Sequence, residues 1–215
     1  MAGPSKSQLL AHLTFYFDVS SPSSYLAFER LPEVLAGRSC SVTYHPVYLP
    51  QILKSSGSPR GPFEAVNAKN PDDADDHNLW LAKSQAPIFT WPARHPFESR
   101  PYLRLLKACS PVFGGAPSRW VVETALKHLW LQGLDPAEPE TFLSLQAALA
   151  PQILPQFQSM ADLSWAPELN HALEASNLKA IERGVRGVPA IQWGAQIFNG
   201  LDQLNALADA FGQST

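Results

Sequence analysis

Gly187-Val188-Pro189-Ala190-Ile191-Gln192-Trp193 places a proline where a strand should begin, just after a helix-period segment that ends at Gly184. Proline cannot donate to a sheet ladder and is tolerated at a strand's first residue or on an edge. Such a position is a common home for a cis X–Pro bond, which folded chains keep where a tight turn is needed. A cis bond between Val188 and Pro189 would leave the N–H and C=O of Val188 unpaired and facing a groove. Val188 to Trp193 and Ala195 to Phe198 then read as two short strands joined at Gly194, and a last helix is expected from Leu201 to Phe211.

The partner of that stretch lies at the other end of the chain, in Phe15-Tyr16-Phe17-Asp18-Val19-Ser20-Ser21-Pro22-Ser23-Ser24-Tyr25. The aromatic and β-branched run within Leu13 to Val19 reads as a buried strand. Ser20 or Ser21 can cap the helix that follows, and Pro22 suits its first position. That helix runs from Pro22 to Leu35 and is closed by Gly37. Ser41 to Leu49 reads as a second strand, with Pro46 forcing an edge position or an early end. A strand-helix-strand start of this length implies parallel strands with a right-handed crossover. Strand, cap, proline and helix form the junction at which thioredoxin-fold redox proteins carry Cys-Pro-x-Cys, and here the frame reads Ser21-Pro22-Ser23-Ser24. Disulfide exchange needs an attacking thiolate, so a serine pair excludes dithiol chemistry at this position. A hydroxyl at a helix N-terminus remains, where free N–H groups favour an anion such as a thiolate carried in by a ligand.

Between the two ends, helical periodicity dominates from Pro50 to about Asn177, through Leu103 to Leu106, Trp120 to Trp130, Phe142 to Leu149 and Ala166 to Gly184. The order predicts an α/β, thioredoxin-like fold with an all-helical insertion in the middle of the chain. Residues 10–50 and 178–215 form the thioredoxin-like domain, and residues 51–177 form the inserted helical domain. At 215 residues the chain is long enough for a sizeable core, and its net charge of −3 and pI near 6.0 make no case for nucleic acid or an anionic membrane. No run has the apolar length of a membrane span, and Met1 to Gln8 lacks a secretory pattern, so a cytoplasmic protein is expected. Cys40 and Cys109, in unlike contexts, read as separate reduced thiols, and the scattered histidines give no metal-ligand spacing. The apolar face of Trp120 to Trp130 is expected to be core, with a dimer surface as the alternative.

The motifs Phe15-x-Phe17-Asp18-x-x-Ser21-Pro22-x-Ser24-Tyr25-Leu26-Ala27 and Gly184-Val185-x-Gly187-Val188-Pro189-Ala190 resemble those of the 2-hydroxychromene-2-carboxylate isomerases and, almost equally, the kappa-class glutathione transferases. Weaker matches fill the middle: His45 to Leu49, Ser56 to Pro62 and His95 to Leu105. The resemblance implies bound glutathione, a homodimer, and a small aromatic or electrophilic substrate. Under it, Ser21 is the catalytic hydroxyl that holds the glutathione sulfur as thiolate. Val188 and Pro189 are the backbone clamp on its cysteinyl portion. Leu201 and Asp202 lie where the γ-glutamyl end is held, with Leu201 standing in for a polar residue of the family. Arg60 takes the place of a lysine that pairs with a glutathione carboxylate. Glu98-Ser99-Arg100 departs from the usual Asn-Ser-Leu, and a carboxylate at Glu98 disfavours a carboxylate substrate unless Arg94, Arg100 or His95 offsets it. Three functions follow: a glutathione-dependent cis–trans isomerase, a glutathione transferase, and a glutathione-binding module without turnover.

Overall fold

The fold was examined in a computed structural model of the chain, which describes residues 11–57, 90–160 and 163–212. Strand β1 (Ala11–Phe17) is central. It pairs in parallel with β2 (Cys40–Pro46) and antiparallel with β3 (Ala190–Trp193), which pairs antiparallel with β4 (Gln196–Asn199). The order β2-β1-β3-β4 leaves β2 on an edge, and Pro46 is its last residue, where a missing N–H costs the ladder nothing. The crossover between β1 and β2 is helix α1 (Pro22–Val34), after which Gly37 turns with φ +76°.

Alternation along β1 explains the layering. Leu13, Phe15 and Phe17 point into a large core shared with Tyr25 and Leu26 of α1, Leu103 of α3 (Arg100–Ala108), Val121 and Leu129 of α4 (Arg119–Leu131), Leu145 of α5 (Pro139–Leu149) and Leu204 of the last helix. Tyr16 points the other way, into a smaller cluster with Val47, Ile52 of α2 (Leu49–Ser55), Ala180 of α6 (Pro167–Glu182), Val185 and Ala190. Both faces of the sheet are therefore covered. Helix α6 passes without a break through residues 177 and 178, and α7 (Gln203–Gly212) closes the described chain.

Element ends depart from the sequence reading at three places that matter for the site. Strand β1 stops at Phe17 rather than Val19, because the buried Asp18 gathers side-chain and backbone donors that the ladder cannot supply. Strand β2 stops at Pro46, and residues read as its end instead enter α2, with Pro50 in the helix's first turn. Strand β3 begins at Ala190, which leaves Val188 and Pro189 ahead of the ladder. The Trp120 to Trp130 face is mixed: Val121, Val122, Leu126, Leu129 and Trp130 are core, whereas Trp120 is half exposed.

Candidate active site

The end of β1 is organised by one carboxyl group. Asp18 is fully buried and accepts four hydrogen bonds. Its Oδ1 takes the Ser20 N–H (2.9 Å) and the Ser20 hydroxyl (2.9 Å). Its Oδ2 takes the Leu49 N–H (2.8 Å) and the Ser99 hydroxyl (3.0 Å). The group thus joins the β1–α1 turn to the starts of α2 and α3. Burial pushes its pKa up and the four donors pull against that, with burial prevailing.

Ser21 follows as the N-cap of α1, extended at φ −93° and ψ 115°, with its Oγ accepting the Ser24 N–H at 3.2 Å. A serine hydroxyl carries one hydrogen and two lone pairs. The cap uses a lone pair, which leaves the Ser21 O–H to donate elsewhere. Ser24, at the frame's second position, is fully buried, and its Oγ has no partner among the described residues. The two carbonyls before Ser21 are held by aromatic rings: Trp130 Nε1–H donates to Val19 O (2.8 Å) and His95 Nε2 to Ser20 O (3.0 Å). Half-exposed Trp91 meets both rings edge-on, at 5.0 Å from His95 and 5.7 Å from Trp130. An apolar wall therefore stands beside the capped turn.

The Val188–Pro189 bond is cis, as the sequence suggests, and the N–H and C=O of Val188 have no hydrogen-bond partner among the described residues. The antiparallel register ends at Tyr16 opposite Ala190, and two further steps along it set Asp18 opposite Val188. The capped turn and the free peptide thus share one end of the sheet. The Gly200 N–H donates to Pro189 O at 2.7 Å, which brings Leu201 and Asp202 to that end as well. Leu201 is half-buried against the main core, and Asp202 is exposed just ahead of α7, accepting from Gln203 Nε2 at 2.8 Å. Arg60 lies outside the described residues.

The rim answers the question raised by Glu98. Its Oε1 accepts from Arg100 Nε at 2.9 Å and its Oε2 from the Tyr48 hydroxyl at 3.3 Å, while the Arg100 guanidinium stacks over the Tyr48 ring at 5.0 Å. Burial pushes the Glu98 carboxyl up, but the Arg100 hydrogen bonds outweigh it and hold the group below its usual value. Arg100 thus offsets the charge, while Arg94 is turned away toward Asp135 at 3.3 Å. A second cis bond, His95–Pro96, which the sequence reading did not single out, lies in the segment carrying His95 and Glu98. The parts that reading missed are the partners of Asp18, His95 and Trp130. The Asp18 of the first motif was their only visible signal.

Known proteins align with this arrangement along nearly the whole chain. The 2-hydroxychromene-2-carboxylate isomerase of Sphingobium xenophagum is 25% identical over 197 residues, covering 91% of this chain and 95% of that protein. A solved structure of a 2-hydroxychromene-2-carboxylate isomerase superposes with a TM-score of 0.70 at 22% identity, covering 94% of this chain and 95% of the other. The cytosolic disulfide reductase DsbM from Pseudomonas aeruginosa, solved with GSH, superposes with a TM-score of 0.55 at 16% identity, covering 94% and 98%. The match to the DSBA-like thioredoxin domain runs from residue 12 to residue 212. It takes in every strand pairing from His12 onward and the whole Ser21–Val188 end of the sheet, so the chain belongs to the DSBA-like thioredoxin domain family.

Proposed function

We propose that the chain is a glutathione-dependent cis–trans isomerase acting on an electron-poor double bond conjugated to an aromatic ring, of the 2-hydroxychromene-2-carboxylate isomerase type. The observation that carries this reading is the Ser21 hydroxyl: its lone pair is engaged by the helix cap, its hydrogen is left to donate, and the free peptide of Val188 lies at the same end of the sheet. When bound, glutathione supplies a sulfur nucleophile that adds to the double bond, allows rotation, and leaves unchanged.

Ser21 stabilises that sulfur as an anion by donating its O–H, aided by the positive end of α1. The Val188 N–H and C=O hold the extended cysteinyl backbone as one more strand would. Leu201 and Asp202, fixed through the Gly200–Pro189 hydrogen bond, receive the γ-glutamyl end. Trp91, with His95 and Trp130 behind it, offers a face for an aromatic ring. Arg100 neutralises Glu98 at the rim, so that a substrate carboxylate meets no bare like charge. A reducing, cytoplasmic setting suits glutathione and the free thiols of Cys40 and Cys109, the latter buried and pushed up to about 12 by that burial. A homodimer is part of the proposal.

Ser21→Ala tests the reading. The bound thiol loses one charge-assisted hydrogen bond, about 1.5–3 kcal/mol, so its pKa should rise by about 1–2. Ultraviolet titration of the complex measures this, and equal pKa values in the two proteins would remove Ser21 from the chemistry. Mass spectrometry of product from a hydroxychromene carboxylate separates isomerisation, with mass unchanged, from conjugation, with glutathione added.

A further inference from the structure

His95 is the polar ring in an otherwise apolar wall. Its neighbours are Trp91, Trp130 and Phe97, with ring centroids at 5.0, 5.5 and 6.2 Å. A carbonyl oxygen only accepts, so the nitrogen 3.0 Å from Ser20 O must carry hydrogen, which assigns Nε2 as the donor. In the neutral ring Nδ1 is then a bare lone pair, and no hydrogen bond is made to it by the described residues. Burial holds the ring's pKa below its ordinary value, against the opposing pull of the Ser20 carbonyl, so the neutral form prevails near neutral pH.

The charged groups nearby are all engaged. Arg94 pairs with Asp135, Glu98 with Arg100, and Asp18 lies behind the Ser20 peptide with its oxygens occupied. The ring therefore presents one free base, a single peptide away from Ser21 and on the side of the half-exposed Trp91.

We infer that His95 Nδ1 is the base that takes the proton from a thiol held at Ser21, an inference that rests on the glutathione reading above. The S–H bond breaks and its electron pair stays on sulfur, which accepts the Ser21 O–H. The proton forms a new N–H at Nδ1, while Nε2–H stays on Ser20 O. The resulting imidazolium and sulfur anion face each other as an ion pair. His95 keeps this proton through an isomerisation, where sulfur arrives and leaves as an anion, and returns it when the thiol departs. Without His95 the proton must pass to solvent.

Calorimetry of glutathione binding near neutral pH, in buffers of different ionisation enthalpy, counts the protons released. Thiolate absorbance near 240 nm counts the sulfur ionised. In the wild type, thiolate should form with almost no proton released. In His95→Phe, which keeps a ring against Trp91 and Trp130, the ratio should rise to about one proton per thiolate. His95→Gln, which keeps a donor for Ser20 O, should show the same ratio and covers the case in which the phenylalanine variant fails to fold. A merely structural role predicts that glutamine leaves the wild-type ratio intact, and that result overturns the inference. A wild type that ionises glutathione but releases its proton overturns the inference alone. A wild type that does not bind glutathione, or binds it only as thiol, overturns both the inference and the reading beneath it.

Discussion

Replacing Asp18 with asparagine isolates what the buried carboxyl group does. Each of its oxygens takes one backbone N–H, that of Ser20 on Oδ1 and that of Leu49 on Oδ2. A backbone N–H cannot turn round to accept. However the asparagine amide is placed, its NH2 faces one of these two donors, and both then lack an acceptor. Each buried donor so stranded costs about 1–3 kcal/mol. The Ser99 and Ser20 hydroxyls can rotate to relieve part of this, so Asp18→Asn should lose about 2–4 kcal/mol. Urea unfolding followed by circular dichroism measures it. The pH dependence is a second check. Burial raises the folded-state pKa of Asp18 above its ordinary 3.8, so the native chain holds that proton more tightly than the unfolded one. Stability from this group is therefore greatest below pH 3.8 and is lost as pH rises through the raised folded value. The asparagine variant has no such slope, so the gap between the two proteins should narrow with rising pH. A loss below about 0.5 kcal/mol, the scatter of ordinary surface changes, or a gap that widens with pH, would refute the account.

Lys107 should behave in the opposite way. It is fully buried with no hydrogen-bond partner among the described residues, and burial first, then the charge of Lys179, holds its amine at about 8 rather than 10.5. Keeping it charged costs about 3 kcal/mol near neutral pH. Because the unfolded chain holds the proton more tightly, stability from this group should rise between pH 8 and 10.5. Lys107→Met should add about 1–3 kcal/mol near neutral pH and flatten that rise, and a variant less stable than wild type would contradict this. Gly200 has φ +102°, and a Cβ there would lie 2.5 Å from Asp202 Oδ1. Gly200→Ala should therefore cost about 1–2 kcal/mol and weaken glutathione binding, as thermal melts and calorimetry would show. Unchanged binding would detach Leu201 and Asp202 from the ligand.

What could be read from the sequence was local. Strand, serine cap and proline announce the start of α1 within a few residues, and the proline ahead of Ala190 announces the free peptide. Periodicity located every described long helix to within a few residues. Helix α2 was obscured because Pro50 reads as a breaker, although a first-turn proline is compatible with a helix. The rest depended on contacts that no local pattern encodes. Trp130 reaches a carbonyl 111 residues earlier, and Ser99 reaches a carboxylate 81 residues earlier. Each was visible only as a residue type able to donate. Arg100 neutralising Glu98 was a question the sequence could pose, and only its side-chain geometry answered it.

The knot at Asp18 also bears on how ligands would be detected. Residues 18, 49 and 99 meet at one carboxyl group, and indole and imidazole rings tie the turn to two further segments. The floor beneath Ser21 cannot come apart piecemeal while the domain stays intact. A compound that settles there resists melting of the whole molecule, in proportion to its occupancy. A library of thiols and electrophiles can therefore be ranked by thermal shift alone, before any substrate is in hand.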